Sequence, residues 1–322
     1  AAETYLKCAE LDANLYLAPL AYLNAARCFR LADNPTQAQK YADLVIEKYP
    51  DTAYAKDAEL EKTIADISIS TQQEKLKAEL PAELFEKVVW LDKLPNEFSG
   101  FILGNEVLDA LPIHIVKKRK QGLFEVGVIS DNSQFSLQEK PLKDVQLTQF
   151  VEALNLSENY AIEVCPAASG LIASLAGMLQ TGALMMVDYG FSRVEYYHPQ
   201  RHQGTLMCHY RHHAHDNPLL YLGLQDITAH VDFTRIAEAG VDAPLDLVGF
   251  TTQAQFLINA GMMKFLEEAA GDKQENYLPV VAAAQKLLSP AEMGDLFKVI
   301  AFNKNLDIDL IGFSAGDKTH TL

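Results

Sequence analysis

The chain has 322 residues, 49% of them hydrophobic, which is enough for one large α/β domain plus a small helical one and excludes a disordered or fibrous polypeptide. A formal net charge of −16 argues against a binder of nucleic-acid backbone, which needs clustered Lys and Arg; the one basic run, Lys117-Lys118-Arg119-Lys120, reads as a solvated strand end or turn. Four cysteines without CxxC spacing suit a reducing compartment and offer no zinc site, and there is neither a signal peptide nor an apolar run of about 18 residues, so a soluble, cytoplasmic protein without a membrane span is expected.

In chain order, Pro19 to Phe29 reads as a helix, Asp33-Asn34-Pro35-Thr36 as a turn with a capping residue, and Gln37 to Tyr49 as a second helix stopped by Pro50. Small Ala26 and Ala38, with Phe29 and Pro50, resemble a tetratricopeptide repeat at its 34-residue period, since small side chains let two helices approach. Residues 1–62 are therefore expected to be a small α-helical, tetratricopeptide-like hairpin. Such repeats generally need about three units to bury a core, so the segment is expected to lean on a protein partner or on the rest of the chain; an amphipathic hairpin with no partner is the equal alternative.

From residue 63 the pattern changes. Glu59 to Ile67 reads either as more helix or as a strand ending at Asp66. Gln72 to Leu80 is helical, Lys87 to Leu91 a strand with Asp92 at its tip, and Phe101 to Gly104 a strand followed by Asn105-Glu106. Ile113 to Gln138 alternates like short antiparallel strands, an insertion at about 113–150. Tyr160-Ala161-Ile162 leads to Glu163, and Pro166 to Leu179 is helical. Ala183 to Val187 is a buried strand stopped by Asp188-Tyr189-Gly190, and Leu245 to Phe250 and Leu296 to Phe302 are the last strands. Strand then helix, repeated, predicts a doubly wound α/β fold over about 70–322, built on a single mostly parallel sheet with neighbouring strands near Val88, Ile102 and Met185.

Several ordered segments carry a more specific likeness: FILGNEVLDALP from Phe101, VDYGF from Val187, YYHPQR, GTLMCHYRHH, QDITAHVDF, TTQAQFLINAG from Thr251 and PAEMGDLFKVIAF from Pro290. Over about 66–322 the chain resembles the MidA family of S-adenosylmethionine-dependent methyltransferases, relatives of a mitochondrial complex I assembly factor that methylates arginine. The resemblance implies a Rossmann-like methyltransferase sheet, S-adenosylmethionine as cofactor and a protein arginine as acceptor. The chain departs from the pattern in one respect. Methyltransferases of this fold open with a strand and a GxGxG-type turn, where only glycine lets the backbone approach the cofactor, and no such turn precedes the strands here. The sheet reads as N-terminally truncated, and cofactor binding is expected to be impaired.

Acids just past strand ends are placed to meet a nucleotide or an acceptor. By resemblance Asp66 and Asp92 would hold the cofactor's ribose and adenine, with Asn105 beside them; either acid could instead be a solvated loop residue. Glu106 and Asp109 follow the strand that presents the methyl acceptor, and paired carboxylates suit a guanidinium, which they bind in bidentate fashion; Asp109 could instead cap a turn. Glu163 and Asp188 complete the expected catalytic set, converging on one cleft.

Six of nine histidines lie between His198 and His215. His209, His212, His213 and His215 with Asp216 and Asp226 suggest a metal, yet methyl transfer from a sulfonium needs none, and hydrogen-bonding structural histidines that hold a loop closed are the expectation. A methyltransferase is thus weighed against a non-catalytic partner-binding scaffold and against a fusion of two unrelated fragments.

Overall fold

The computed structural model describes residues 6, 18–19, 21–23, 25–26, 35–50, 52, 54–55, 58, 69–91, 93–131, 134–210, 213–222, 224–271 and 274–322. They divide into two compact units, Ala1–Asp92 and Lys93–Leu322.

In the first unit the described residues between 18 and 26 are helical, and helix α1 spans Pro35–Lys48. Its small core is made of Leu23, Ala26, Ala42, Val45 and Ala58, with the Tyr22 and Tyr41 rings stacked 6.2 Å apart. Ala26 and Ala38 are both fully buried, as close helix approach requires. Helices α2 (Ile69–Glu79) and α3 (Ala82–Phe85) follow. The predicted strand at Lys87 to Leu91 is not one. The N–H groups of Lys87 and Val88 donate to Leu84 and Phe85 in turns, and Val89 and Leu91 are 75% and 61% exposed. A strand persists only where a neighbour takes its backbone hydrogen bonds, and no described strand lies beside this one.

The second unit carries the sheets. The principal one has the order β1 (Phe98–Asn105), β6 (Leu179–Phe191), β12 (Phe297–Lys304), β11 (Asp246–Thr252). β1 and β6 are parallel, with Asn105 level with Val187, and short β10 (Val231–Asp232) pairs with the end of β6. β12 runs antiparallel to both β6 and β11, placing Lys298 opposite Asp188 and Phe297 opposite Tyr189.

The expected single, mostly parallel sheet is therefore corrected. β2 (His114–Arg119), β3 (Gly122–Asp131), β4 (Gln134–Pro141) and β5 (Tyr160–Val164) make a separate antiparallel sheet, ordered β4-β3-β2-β5. Helix α4 (Val145–Ala153) covers it, and Val116, Leu147, Val151, Tyr160, Ile162 and Val164 form its own core. The alternation that marks these strands as half-buried also gives them a second apolar face to bury, which the principal sheet does not use. The basic run lies on β2 and its hairpin, where Lys117 and Arg119 both pair with Glu139 of β4 and hold its carboxyl down at about 2. A third small sheet joins β8 (His213–His215), β7 (Met207–Tyr210) and β9 (Asp226–Thr228).

Helices α5 (Pro166–Met178) and α7 (Phe233–Asp242), separated along the chain by the short α6 (Arg193–Tyr196), pack together on the principal sheet. α5 starts with Pro166 at its first turn, where the missing N–H costs nothing, and Asp232 caps α7 by accepting the N–H of Arg235. Their apolar faces, with Leu184, Met186, Phe250, Ile300 and Phe302, form the largest core. That core fixes the strands and so fixes the loops at their carboxyl ends.

Candidate active site

β1 ends at Asn105, and the turn that follows is held from the neighbouring strand. The N–H of Glu106 donates to the Val187 carbonyl at 2.9 Å. One oxygen of Asp188, Oδ2, then accepts the N–H groups of Val107, Leu108 and Asp109 at 3.1, 2.9 and 3.4 Å, while Oδ1 accepts that of Tyr189 at 3.0 Å. Asp188 is 1% exposed. Burial, with the Asp109 charge adding to it, pushes its carboxyl up to about 7, against the backbone N–H groups that favour the ionised form.

The clamp shapes what it holds. Glu106 has φ +51, a left-handed conformation that a branched or long side chain adopts at a cost of about 1 kcal/mol, and its carboxylate is exposed beside the Asn105 amide, 3.2 Å away. Asp109 is instead buried: Oδ2 accepts the Tyr189 hydroxyl at 2.5 Å and Oδ1 has no partner. Burial, and then the bond to Asp109, push the Tyr189 hydroxyl far up, so it stays protonated and donates.

Behind Tyr189 lies His230, edge-on at 5.1 Å, and His230 stacks in turn on Phe191 at 5.2 Å with planes only 4° apart. The Arg201 guanidinium lies over Phe191, 3.6 Å from the ring centre. His230 Nδ1 is buried without a partner; burial first, and the Arg201 charge next, hold its pKa down at about 4, so the ring is neutral.

Glu163 sits on β5, in the second sheet, and is engaged otherwise. It accepts the N–H and hydroxyl of Thr205 at 2.9 and 3.1 Å and the N–H of Leu206 at 3.2 Å. Gly204 approaches it so closely, at φ +81, that any side chain there would collide with its carboxylate. Thr205 then receives the His230 N–H at 3.1 Å, so Thr205, His230 and Tyr189 link Glu163 to the Asp109–Asp188 group. Of the predicted residues, then, Asn105, Glu106 and Asp109 lie at the end of β1 and in the turn after it, Asp188 clamps that turn from β6, Glu163 is on β5, and Asp66 and Asp92 lie outside the described residues. Tyr189, Phe191, Arg201, Thr205 and His230 were missed. Tyr189 and Phe191 flank the acid and glycine that drew notice, and a pattern search for charged groups passes over them.

The histidines spread apart. His209 is on β7, His213 and His215 are on β8, His198 accepts the N–H of Gln200, and His212 lies outside the described residues. Among the described residues no group of three or more His, Cys, Asp or Glu is placed to hold a metal ion. Nor is any described helix long and apolar enough to cross a membrane.

Residues 32–251 match the model of a family described as "Putative S-adenosyl-L-methionine-dependent methyltransferase". The chain belongs to that family. A solved structure of an uncharacterized protein from Burkholderia thailandensis is 46% identical, with a TM-score of 0.76 over 80% of this chain and 69% of that one. A second from the same organism, bound to S-adenosyl-homocysteine, is 47% identical with a TM-score of 0.75, covering 79% and 65%. The protein arginine methyltransferase NDUFAF7 of Xenopus tropicalis is 30% identical over 221 residues, 65% of this chain and 47% of that protein. The human protein of that name is 29% identical over 228 residues, 66% and 46%. The chain spans about half the length of these curated relatives. Both are named as mitochondrial, which overturns the expectation of a cytoplasmic protein drawn from composition. Composition reports redox and charge, and several compartments share both.

Family membership implies S-adenosylmethionine, and the described residues fit only part of its site. β1 is the edge of its sheet: no described strand pairs with its outer side, and Phe101 and Leu103 are 66% and 70% exposed. No described glycine-rich strand-to-helix turn adjoins it.

Proposed function

We propose that this chain carries the acceptor-binding half of an S-adenosylmethionine-dependent protein methyltransferase that acts on arginine. The observation that supports it most is the Asp188 clamp, which fixes a strained, exposed Glu106 and a buried, half-satisfied Asp109 on one turn at the carboxyl edge of the sheet. A buried acceptor without a donor, such as Asp109 Oδ1, is uncommon in folded proteins and suits a ligand N–H. Glu106 would take one side of a guanidinium from solvent, and Asp109 would receive a second N–H. Asp188 and Glu163 act here as positioning residues, because their oxygens already accept backbone N–H groups. Asn105 would steady Glu106. The names of the curated relatives favour arginine as acceptor.

The test is transfer of labelled methyl from saturating S-adenosylmethionine to protein substrates, mapped by mass spectrometry. Label should appear on arginine, and Glu106→Gln should lower transfer roughly 10- to 100-fold through loss of a charge-assisted pair. Label on another residue type, or a Glu106→Gln variant as active as the parent, would overturn the reading.

A second reading, a partner-binding scaffold without catalysis, is favoured by the exposed Phe101 and Leu103. In either case residues 1–62 are read as a helical element for a protein partner and 63–322 as the methyltransferase-like part.

A further inference from the structure

Beyond the acceptor turn, where β6 runs out at Phe191 and β12 begins, the principal sheet opens into a cleft of about 760 Å³. It is lined by three basic side chains, Arg201, Lys298 and Lys318, against two acids, Glu195 and Asp295. In a chain of net charge −16 this is a local reversal of sign.

Two of the three make close contacts. The Arg201 guanidinium carbon sits over the Phe191 ring, 3.6 Å from its centre, and no described carboxylate pairs with it. Lys298 is 6% exposed; its ammonium donates to the Asp295 and Leu296 carbonyls and lies 5.7 Å from the same Phe191 ring. Lys318, at the rim, stands 4.0 Å from Asp295, too far and too exposed for a strong pair. Burial lowers the pKa of Lys298, and Lys318 and Arg201 add to that, while Asp295 and Glu195 oppose it. The neutral His230 behind Phe191 feels Arg201 and Lys298 in the same sense. The cleft thus carries three basic side chains against two acids among its described lining.

A guanidinium fixed on an aromatic face presents its N–H edge to a planar anion without further ordering, the arrangement that binds carboxylates best. The acceptor turn and the cleft meet the same strand: Asp188, which clamps the turn, and Phe191, which lines the cleft, are three residues apart on β6, roughly 10 Å along it. A peptide extended across the same distance spans about three residues. We infer that the cleft binds an acidic side chain of the methyl-accepting polypeptide, seated between Arg201 and Lys318 above Lys298, about three residues from the acceptor arginine. That the ligand is a polypeptide rests on the proposed function; that it is a carboxylate rests on the cleft.

Two fluorescein-labelled peptides test this on the full chain by anisotropy: Gly-Gly-Arg-Gly-Gly-Glu-Gly and the same peptide with Gln for Glu. The Glu peptide should bind about tenfold more tightly at low salt, and its advantage should shrink as salt screens the charges. Arg201→Gln should abolish the advantage, and so should Lys318→Gln, whose exposed site leaves the fold intact. A Glu preference that survives in both variants, or no preference in the parent, overturns the assignment. Replacing the peptide's arginine separates the two claims. If Glu preference follows Arg201 and Lys318 while the arginine contributes nothing, the cleft stands and the arginine acceptor falls.

Discussion

Asp188 and Leu108, 80 positions apart in the chain, are joined by a 2.9 Å hydrogen bond from the Leu108 N–H to the Asp188 carboxylate. The same oxygen also takes the N–H groups of Val107 and Asp109, so one buried side chain on the middle strand sets the shape of the turn after its neighbour.

Asp188→Asn should show this directly. Asparagine keeps one acceptor but turns an amide NH₂ toward N–H groups, leaving at least one buried donor unsatisfied at about 1–3 kcal/mol. We expect a fall of about 2 kcal/mol in unfolding free energy by urea titration, and a larger proportional loss of methyl transfer than of stability. A variant as stable as the parent would show that water can replace the clamp.

Asp188 and His230 should have opposite effects on stability across acid pH. The Asp188 carboxyl is raised from 3.8 to about 7, so its contribution is complete below about pH 4 and is lost as pH rises through 7. His230 is lowered from 6.5 to about 4, so its contribution is complete above pH 6.5 and is lost as pH falls through 4. The stability difference between the parent and His230→Gln should therefore shrink as pH drops from 6.5 toward 4. Chemical denaturation at stepped pH measures it, and a pH-independent difference would mean that His230 reaches solvent.

Gly204 and Gly170 should respond oppositely to alanine. Gly204 has φ +81 and abuts the Glu163 carboxylate, so Gly204→Ala should cost about 1–3 kcal/mol. Gly170 lies exposed within α5 with nothing near its missing side chain, so Gly170→Ala should stabilise by about 0.5–1 kcal/mol. Thermal melts of the two variants decide, and equal shifts would contradict both arguments.

Cofactor affinity should be poor in the chain as it stands. A glycine-rich turn provides several backbone hydrogen bonds to charged groups at about 1.5–3 kcal/mol each, and losing them weakens binding by orders of magnitude. Calorimetric titration with S-adenosylmethionine should give far weaker binding than in an intact family member, and grafting a strand and glycine turn ahead of β1 should restore it. Low-micromolar binding by the unmodified chain would show that another segment forms the cradle.

The sequence alone determined which segments carry chemistry. GNEVLDALP and VDYGF were legible as strand ends with acids because each follows an apolar run ended by a polar stop, a pattern contained within a few residues. The same locality misread Lys87 to Leu91, whose apolar run is indistinguishable from a strand until its neighbours are known. It read β2 to β4 as an antiparallel insertion but not the separate core they bury with β5, since alternation shows that a face is buried but not against which core. Only the tertiary structure decided which acid does what. Asp188 became a clamp, Glu106 an exposed and strained carboxylate, Asp109 a buried one, and Glu163 the anchor of a different loop. The physical reason is that a carboxylate's role depends on how many of its oxygens are already satisfied, and those partners, Leu108 for Asp188 and Thr205 for Glu163, lie 80 and 42 residues away.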